Sequence, residues 1–171
     1  MSSQSHGSAH GSAQSNATGA STTSHAGVCT FFLGDRHFGL DVGLVGEVVS
    51  VAEVAPVPMS HGSVRGIFNL RGTPVALLDL GEVLALDGGR IRDARTALVV
   101  RREDLLVGFV IDRMEAVVPE GRGVFTDATA DDHAAVRGFL ELEDARGIVT
   151  VLDPTALLER IEATRFLKTE D

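Results

Sequence analysis

The sequence contains one cysteine, Cys29, and no tryptophan or tyrosine. One cysteine excludes an intramolecular disulfide framework and a zinc site built on several cysteines. Because Cys29 lies in an apolar run, we interpret it as a buried structural thiol. The chain also lacks the two aromatic residue types that line most sugar sites and that stack on single-stranded nucleic acids.

Positive charge is scarce as well. The chain has 15 Lys and Arg against 24 Asp and Glu, and its formal net charge at pH 7 is -9. A protein that binds a phosphate backbone needs a basic face, so we expect no nucleic-acid partner. No apolar run approaches the roughly 18 residues that span a bilayer, and the N-terminus has neither the basic start nor the apolar centre of a signal peptide. These absences predict a soluble, cytoplasmic protein without direct membrane insertion.

The motifs that carry enzymatic chemistry are missing too. The sequence has no Ser in a G-x-S-x-G elbow, no H-E-x-x-H pair and no phosphate-binding loop. Four aspartates end or flank apolar segments: Asp41, Asp79, Asp112 and Asp153. A glycosidase-like catalytic pair would need two of these carboxylates on opposite sides of a cleft. A second set of polar residues is close together in the sequence: Asp127, Asp131, Asp132 and His133. Because this set lacks the glycine and the distal glutamate of a calcium-binding loop, we predict that its side chains are solvated. We predict no catalytic residue, no metal and no cofactor.

What the chain does have is a hydrophobic content of 44%, enough for a packed core. The stretch with the clearest sequence pattern is residues 64–80, VRGIFNLRGTPVALLDL. The apolar, β-branched residues 73–80 predict a buried strand, which a tight turn precedes. Gly66 and Gly72 mark positions where the backbone must bend or let another chain come close. Arg71, a long cation on this turn, is expected to point outward, either as a solvated residue or as part of a binding surface.

Part of this stretch occurs twice. Residues 64–67 (VRGI) return as residues 136–139 (VRGF), and in both copies an apolar strand follows, ends in aspartate and precedes a helical pattern. The segments before the two copies also resemble each other loosely. A repeat indicates one supersecondary unit used twice. The sequence therefore predicts two similar β-rich halves.

Turn residues and apolar spacing predict nine or ten short strands. Hairpins are expected across residues 34–36 and 102–104, and an edge strand that prolines interrupt is expected over residues 48–57. The spacing of residues 42–48 is helical, whereas residues 120–135 look like a surface loop.

Capping residues predict short helices at the joints. Asp41 is placed to cap residues 42–48, Asp79 with Glu82 forms a capping box, and Asp153 with Pro154 begins a C-terminal helix. Strands at close spacing with helices only at the joints are typical of an all-β, barrel-like fold.

The chain is predicted to contain one folded region. Residues 1–26, rich in Ser, Gly and Ala and without Lys, Arg, Asp or Glu, are predicted to be a disordered tail, because they cannot bury enough apolar surface to offset their ordering entropy. The folded domain is expected to cover residues 27–167, and residues 168–171 are expected to fray.

The order of these segments resembles a known family. The strings FFLGDRHFGLDVGLVGEVV, VRGIFNLRGTPVALLDL and LLVGFVIDRMEAVV, followed by a strand and a helix, are similar to the CheW-like chemotaxis coupling proteins. The N-L-R-G turn is the most specific part of the likeness. The resemblance implies two five-stranded β-barrel (SH3/OB-like) subdomains and an adaptor without catalytic activity. Such adaptors join the cytoplasmic tip of methyl-accepting chemoreceptors to the regulatory domain of a CheA-type histidine kinase.

The resemblance also implies receptor-binding positions. Val45 and Glu47 fall in the segment after the first hairpin, whereas Gly66 and Arg71 fall in the VRG and NLRG elements. On the residues alone, two alternatives stay open: Glu47 as a solvated helix residue and Val45 as a core residue. Kinase-binding residues are not mapped by the motif.

Two other functions stay open from the sequence. The first is a coupling protein of another chemosensory array, such as one that controls pilus-driven or gliding motility. The second is an orphan ligand-binding β-barrel, which would need a closed apolar pocket with convergent polar groups.

Overall fold

The computed structural model describes residues 27–58, 60, 62–87, 95–102, 105–143 and 147–166. The predicted N-terminal tail and the predicted frayed C-terminus lie outside these residues. Within them, no helix is both long enough and apolar enough to cross a membrane.

The described residues form eleven strands and two helices, which confirms the all-β fold. The strands are β1 Gly27–Leu33, β2 Arg36–Asp41, β3 Val45–Ser50, β4 Val64–Leu70, β5 Thr73–Asp79, β6 Thr96–Arg102, β7 Leu105–Ile111, β8 Arg113–Pro119, β9 Gly123–Asp127, β10 Val136–Leu142 and β11 Ile148–Leu152. The helices are α1 Leu80–Val83 and α2 Pro154–Phe166.

The strands divide into two sheets. The six-stranded sheet has the order β8-β1-β2-β11-β10-β9, and the five-stranded sheet has the order β3-β6-β7-β5-β4. Five strands were expected in each, so the six-stranded sheet contains one more than predicted. Neighbouring strands are antiparallel except at β2 with β11 and β5 with β7, which are parallel.

Both sheets curl towards barrels because the chain links their two edges. The segment that follows β3, at one edge of the five-stranded sheet, reaches β4 at the other edge: the Ala55 N–H donates to the Ile67 carbonyl at 2.8 Å and the Ile67 N–H donates to the Ala55 carbonyl at 2.9 Å. In the six-stranded sheet, β9 follows β8 after a short turn and pairs with β10 at the opposite edge. The prediction of two barrel-like units is confirmed in this looser sense.

The two VRG glycines have the same structural role. A Cβ atom at Gly66 would lie 2.3 Å from the Ala55 carbonyl oxygen, and one at Gly138 would lie 2.4 Å from the Thr126 carbonyl oxygen. Both glycines are buried beneath the segment that links the sheet edges. The close approach predicted at Gly66 is therefore made by the protein's own chain.

Two sequence-based assignments are wrong. Residues 42–48 are a 3₁₀ turn, Val42–Leu44, followed by β3, because the β-branched residues after the turn pair with β6. Asp41 still caps the turn, since its Oδ1 accepts the Gly43 N–H at 2.9 Å. Residues 120–135 contain β9, which the sequence hides because most of its side chains are exposed on both faces and show no alternation.

Both helices begin at the predicted capping aspartates, but the predicted capping box is only half formed, because the Asp79 N–H donates to the Ser63 carbonyl at 2.7 Å and not to the Glu82 side chain. Asp79 Oδ1 accepts the Glu82 N–H at 3.3 Å at the start of α1. Asp153 Oδ1 accepts the Thr155 N–H at 2.8 Å at the start of α2. Leu157 and Leu158 of α2 are buried in the core.

The largest core cluster lies between the sheets. It combines Phe31 and Leu40 of the six-stranded sheet with Leu98 and Phe109 of the five-stranded sheet, and Leu80 of α1 closes one side. Each of these side chains is fully buried. Because burying one such side chain contributes about 2 kcal/mol, this shared cluster binds the sheets into one unit.

Cys29 belongs to this cluster and gives a first testable expectation. Its side chain is buried, and burial raises the pKa of its thiol above the ordinary value. The thiolate is the reactive form, so both access and ionisation oppose reaction in the folded protein. We expect a thiol reagent at pH 8 to modify Cys29 about 10³-fold more slowly in native than in denatured protein. Rapid modification of the native protein would contradict the described core.

Candidate functional site

The turn between β4 and β5 has an unusual backbone. Leu70 pairs with Thr73, so the loop consists of Arg71 and Gly72, which both have positive φ angles of 50° and 89°. Tight two-residue hairpin loops of this kind favour Asn and Gly. The Asn69 side-chain oxygen accepts the Gly72 N–H at 2.6 Å and fixes the loop. An arginine in this conformation costs about 1 kcal/mol, so folding does not explain its presence.

The Arg71 side chain is held by a forked ion pair. Its Nη1 donates to Glu47 Oε1 at 2.9 Å, and its Nη2 donates to Glu47 Oε2 at 2.8 Å. The Arg71 side chain is 77% exposed and the Glu47 side chain 28% exposed. Glu47 lies on β3, so the pair joins one edge of the five-stranded sheet to the turn at the other edge.

This ion pair orients the arginine more than it stabilises the fold. An exposed pair contributes about 0–1 kcal/mol, which the cost of the backbone conformation offsets. A guanidinium carries five N–H donors, and Glu47 uses two of them. The arrangement presents an ordered cation with donors directed towards solvent. Such a fork is suited to a carboxylate of a partner.

The structure places the four predicted receptor-binding residues at different depths. Arg71 and Glu47 are in direct contact at the surface. Val45 is half-buried, packs on the core cluster and pairs with Val100 of β6. Gly66 is buried under Ala55. Glu47 is thus a strand residue with a bound partner, and Val45 is largely a packing residue.

Exposed apolar side chains near β1 were missed from the sequence. Leu44 projects from the 3₁₀ turn, which packs against β1 and β6, and Met114 and Val117 are exposed on β8, the neighbour of β1. Isolated exposed apolar residues are common on proteins. Here the exposed residues lie on two elements that both contact β1, and this proximity is evident only from the sheet order.

The second repeat lacks an equivalent charged surface in the described residues. In the β1–β8 ladder, Ala116 stands where Glu47 stands in the β3–β6 ladder, and Glu115 is the bulged residue before it. Glu115 Oε2 lies 2.6 Å from His37 Nε2. The His37 side chain is only 7% exposed. The Thr30 hydroxyl also lies 3.4 Å from this carboxylate. Glu115 therefore contacts a buried histidine, whereas Glu47 holds an exposed arginine.

A buried ion pair fixes the open end of the hairpin that carries the turn. Arg65 Nε lies 2.9 Å and Arg65 Nη2 lies 2.7 Å from Asp79 Oδ2. Asp79 is fully buried and also caps α1. In the second repeat, Arg137 lies 3.8 Å from Asp41 and over the ring of Phe125 instead.

The polar loop before β10 shows structural contacts. Asp132 Oδ2 accepts the N–H of Thr129 at 2.7 Å and its hydroxyl at 2.9 Å. His133 Nδ1 accepts the Ala135 N–H at 3.1 Å, and burial and Arg160 lower the pKa of His133. In the part of the chain that the structure describes, no three His, Cys, Asp or Glu side chains are grouped to hold a metal ion.

A groove of about 730 Å³ lies beside the turn. Residues of the linking segment, β4 and the start of β5 line it, among them Val54, Ile67 and Pro74. Val54 and Ile67 are exposed. The groove gives the five-stranded sheet an apolar outer surface next to the Arg71 turn.

Comparison with known proteins agrees with this architecture. A family model described as the CheW-like domain matches residues 27–162. The chain is 29% identical over 91 residues to chemotaxis protein CheW of Thermotoga maritima, covering 53% of this chain and 60% of that protein. It is 32% identical over 93 residues to chemotaxis protein CheW of Treponema pallidum, covering 52% of this chain and 55% of that protein. These matches span little more than half the length of the two relatives.

A solved structure has the same fold. The crystal structure of the scaffolding protein TtCheW from Thermoanaerobacter tengcongensis superimposes with a TM-score of 0.64 at 23% identity, covering 75% of this chain and 88% of that chain. The family model spans most of the domain whose two sheets, linked edges and NLRG turn are described above. The chain belongs to the CheW-like family.

Proposed function

We propose that this protein is a non-catalytic adaptor that couples the signalling tips of chemoreceptors to the regulatory domain of a CheA-type histidine kinase. Family membership supports the adaptor role and agrees with the expectation that the chain is not an enzyme. The proposed partners place the protein in the cytoplasm. The observation that carries the receptor-binding part is Arg71, an exposed arginine that a carboxylate orients on an unfavourable backbone.

Arg71 and Glu47 form the polar part of the proposed receptor surface. A receptor tip is a helical hairpin with an apolar stripe and charged flanks, and a helix of this kind docks through both. Arg71 would fork onto a carboxylate of the helix, and Leu44 would contact its apolar stripe. Glu47 holds Arg71 in place before binding, which reduces the entropy lost on association.

Val45 and Gly66 lie beneath the surface that Arg71 and Glu47 form and support its position. Val45 anchors the start of β3 on the core, directly beside Glu47. Gly66 admits the linking segment that closes the five-stranded sheet next to the turn. We propose that they position the surface and that Arg71 and Glu47 contact the receptor. The kinase is proposed to bind the strand edges, without assigned residues.

Arg71→Asn tests the receptor surface with the smallest change in the fold. Asparagine suits the positive φ of this turn, so we expect the stability to change by less than about 0.5 kcal/mol. Loss of the guanidinium removes a charge-assisted contact and is expected to weaken binding of a receptor tip about tenfold or more, measured by calorimetric titration. Binding of the kinase domain is expected to be unchanged.

Arg36→Asn is the matched control for this measurement. Arg36 is an exposed arginine that begins β2 in the other sheet. Its replacement changes the net charge by the same amount and is expected to leave receptor affinity within about twofold. Equal losses for the two variants would show that only net charge matters. Unchanged receptor binding by a folded Arg71→Asn variant would exclude Arg71 from the surface.

One comparison favours a second candidate within adaptors. The chain is 27% identical over 110 residues to protein PilI of Pseudomonas aeruginosa, covering 64% of this chain and 62% of that protein. This supports the alternative of a coupling protein for a pilus-driven or gliding chemosensory array. Titration against receptor tips from both kinds of array separates the two. A ligand-binding β-barrel would instead respond in a thermal-shift screen with small metabolites.

A further inference from the structure

The two barrel-like units, in which strand pairings cross between the repeats, have interiors that are filled to different extents. Three matching positions of the repeats are buried in the separate core clusters of the two units. The five-stranded unit has Phe68, Val75 and Leu77 there, and the six-stranded unit has Leu140, Val149 and Val151. The six-stranded unit therefore has a smaller side chain at two of the three positions.

A cavity of about 260 Å³ lies in the six-stranded unit. The buried side chains of Val118, Leu140 and Val151 line it, together with Val28. Protein interiors are close-packed, and few of their voids exceed the size of a water molecule. Since an apolar cavity of about 150 Å³ accepts benzene, the cavity of the six-stranded unit has room for a longer apolar chain.

The cavity lies at the open side of the six-stranded unit. β8 and β9 are the two edges of this sheet, and no ladder joins them in the residues that the structure describes. The turn between these strands lines the cavity, and residues 120–122 of the turn are exposed. In the five-stranded unit, by contrast, the hydrogen bonds between Ala55 and Ile67 link the edges. The exposed turn therefore gives a small molecule a route into the six-stranded unit.

Arg137 places a partly buried positive charge beside this cavity. Its guanidinium lies 5.4 Å from the centre of the Phe125 ring, and both residues line the cavity. The other charged residues that line the cavity are all exposed: Glu120, Arg122 and Asp127. The Arg137 side chain is 33% exposed, so water screens its charge less than theirs. A cation in this position favours a ligand with an anionic end and an apolar body.

The matching arginine of the first repeat has a different environment. Arg65 lies 2.7 Å from the fully buried Asp79 at the base of its strand. The match of Asp79 in the second repeat is Asp153, which accepts the Thr155 N–H at the start of α2. Arg65 is thus held in a buried ion pair, whereas Arg137 lies beside a cavity.

We propose that this cavity is a binding site for a medium-chain carboxylate of about six to ten carbon atoms. The alkyl chain occupies the space beside Leu140 and Val151, and the carboxylate accepts hydrogen bonds from the Arg137 guanidinium. Arg71 and Glu47 lie on the other sheet, so this site is separate from the proposed receptor surface. The proposal goes beyond the adaptor function and does not depend on it.

The first experiment titrates octanoate into the full chain and follows binding by calorimetry and by methyl NMR. We expect the methyl signals of Val118, Leu140 and Val151 to shift, and those of Leu77 and Val99 in the other unit to stay unchanged. Octylamine has the same alkyl chain with the opposite charge and is expected to bind about tenfold more weakly or worse. Acetate lacks the chain and is expected not to bind.

Two substitutions fill the cavity with the side chains that the first repeat has at the matching positions. Leu140→Phe copies Phe68, and Val151→Leu copies Leu77, so that one variant remains informative if the other does not fold. Each is expected to lower the affinity for octanoate about tenfold or more, because the added atoms occupy the space of the alkyl chain. Ile148→Phe, at a position of β11 that is 59% exposed, is the matched control and is expected to leave the affinity within about twofold.

Arg137→Gln tests the charged end of the site. We expect this variant to bind octanoate about tenfold more weakly and to bind 1-octanol as the natural protein does, because only the carboxylate needs the guanidinium. Absence of octanoate binding by the folded natural protein, or equal affinity for octylamine, would overturn the proposal. Unchanged octanoate affinity in a folded Leu140→Phe or Val151→Leu variant would do so as well.

Receptor and kinase titrations with and without octanoate keep the two functions apart. Octanoate binding by a chain that binds neither partner would contradict the adaptor function and support the carboxylate site. Binding of both partners by a chain that does not bind octanoate would support the adaptor function and overturn the site. A response to octanoate together with binding of both partners would support both.

Discussion

Gly66→Ala is expected to lower the free energy of unfolding by about 3 kcal/mol or more. A Cβ atom at this position would lie 2.3 Å from the Ala55 carbonyl oxygen, and the clash is with backbone, which cannot rotate away. Residue 66 also has a φ angle of 145°, which side chains rarely adopt. Overpacking costs about 1–3 kcal/mol and an unfavourable backbone conformation about 1–3 kcal/mol, so the sum is large even after relaxation.

The structural cause of this loss is local. The alanine would push the linking segment away from β4 and weaken the paired hydrogen bonds between Ala55 and Ile67. Closure of the five-stranded sheet depends on that contact. We therefore expect the variant to lose receptor binding as well, although residue 66 itself is buried beneath the surface.

Gly72→Ala is the matched control for Gly66→Ala. Gly72 also has a positive φ, 89°, but nothing lies within 4 Å of a Cβ atom there. Only the backbone strain remains, so urea unfolding is expected to show a loss of about 1 kcal/mol. If the two alanine variants proved equally stable, the close approach of Ala55 to Gly66 would be wrong.

Arg65→Met is expected to cost about 3–5 kcal/mol, the range for removing one partner of a buried ion pair. The side chain of Asp79 is completely inaccessible, and Arg65 supplies both of its short contacts to Oδ2. Without the guanidinium, the carboxylate keeps the N–H of Glu82 but has no counter-charge from Arg65. The methionine replaces the packing of the arginine stem, so the loss measures the charge.

The double variant Arg65→Met/Asp79→Asn separates the buried charge from the rest of the site. Asparagine is neutral and is a favourable N-cap, so α1 keeps its start. We expect the double variant to recover stability to within about 2 kcal/mol of the natural protein, because no uncompensated charge remains. Arg71→Met, at the exposed pair with Glu47, is expected to cost less than about 1 kcal/mol. If the double variant proved as unstable as Arg65→Met, the loss of stability would come from altered packing and not from the uncompensated charge of Asp79.

The sequence could predict the Arg71 turn because its signals are local. Gly72 and the apolar strand after it define a hairpin, and an arginine in a two-residue loop has little space to be buried. The pairing with Glu47 was not predictable, because the two residues are 24 positions apart and meet only when the sheet curls. Both residues were named through a resemblance, and their contact was found only in the structure.

The repeat shows a second limit of reasoning from sequence. The matching VRG strings correctly indicated two similar units, but similarity does not state which strands pair. Crossing and non-crossing pairings bury the same apolar faces, so the strings alone cannot distinguish them. The glycines illustrate this point. Gly66 was correctly predicted to allow close approach, whereas the approaching segment is part of the same chain.

Residues 42–48 and β9 show how pairing overrides local pattern. Val45 and Val48 fit a helical spacing, but their β-branched side chains pack equally well in a strand once β6 is available. β9 has no apolar alternation because it lies at an edge, with Val124 66% exposed, and its pairing with β10 gives it its structure. The partner of β3 is distant in sequence, whereas β10 is the next strand after β9.

The most direct test of the account is whether one copy of the protein binds a receptor tip and a kinase regulatory domain at the same time. Sedimentation velocity of the full chain with both partners is expected to show a ternary complex. With Arg71→Asn, only the kinase complex is expected to remain. Competition between the two partners for one surface, or binding of neither partner by the folded chain, would contradict the adaptor function.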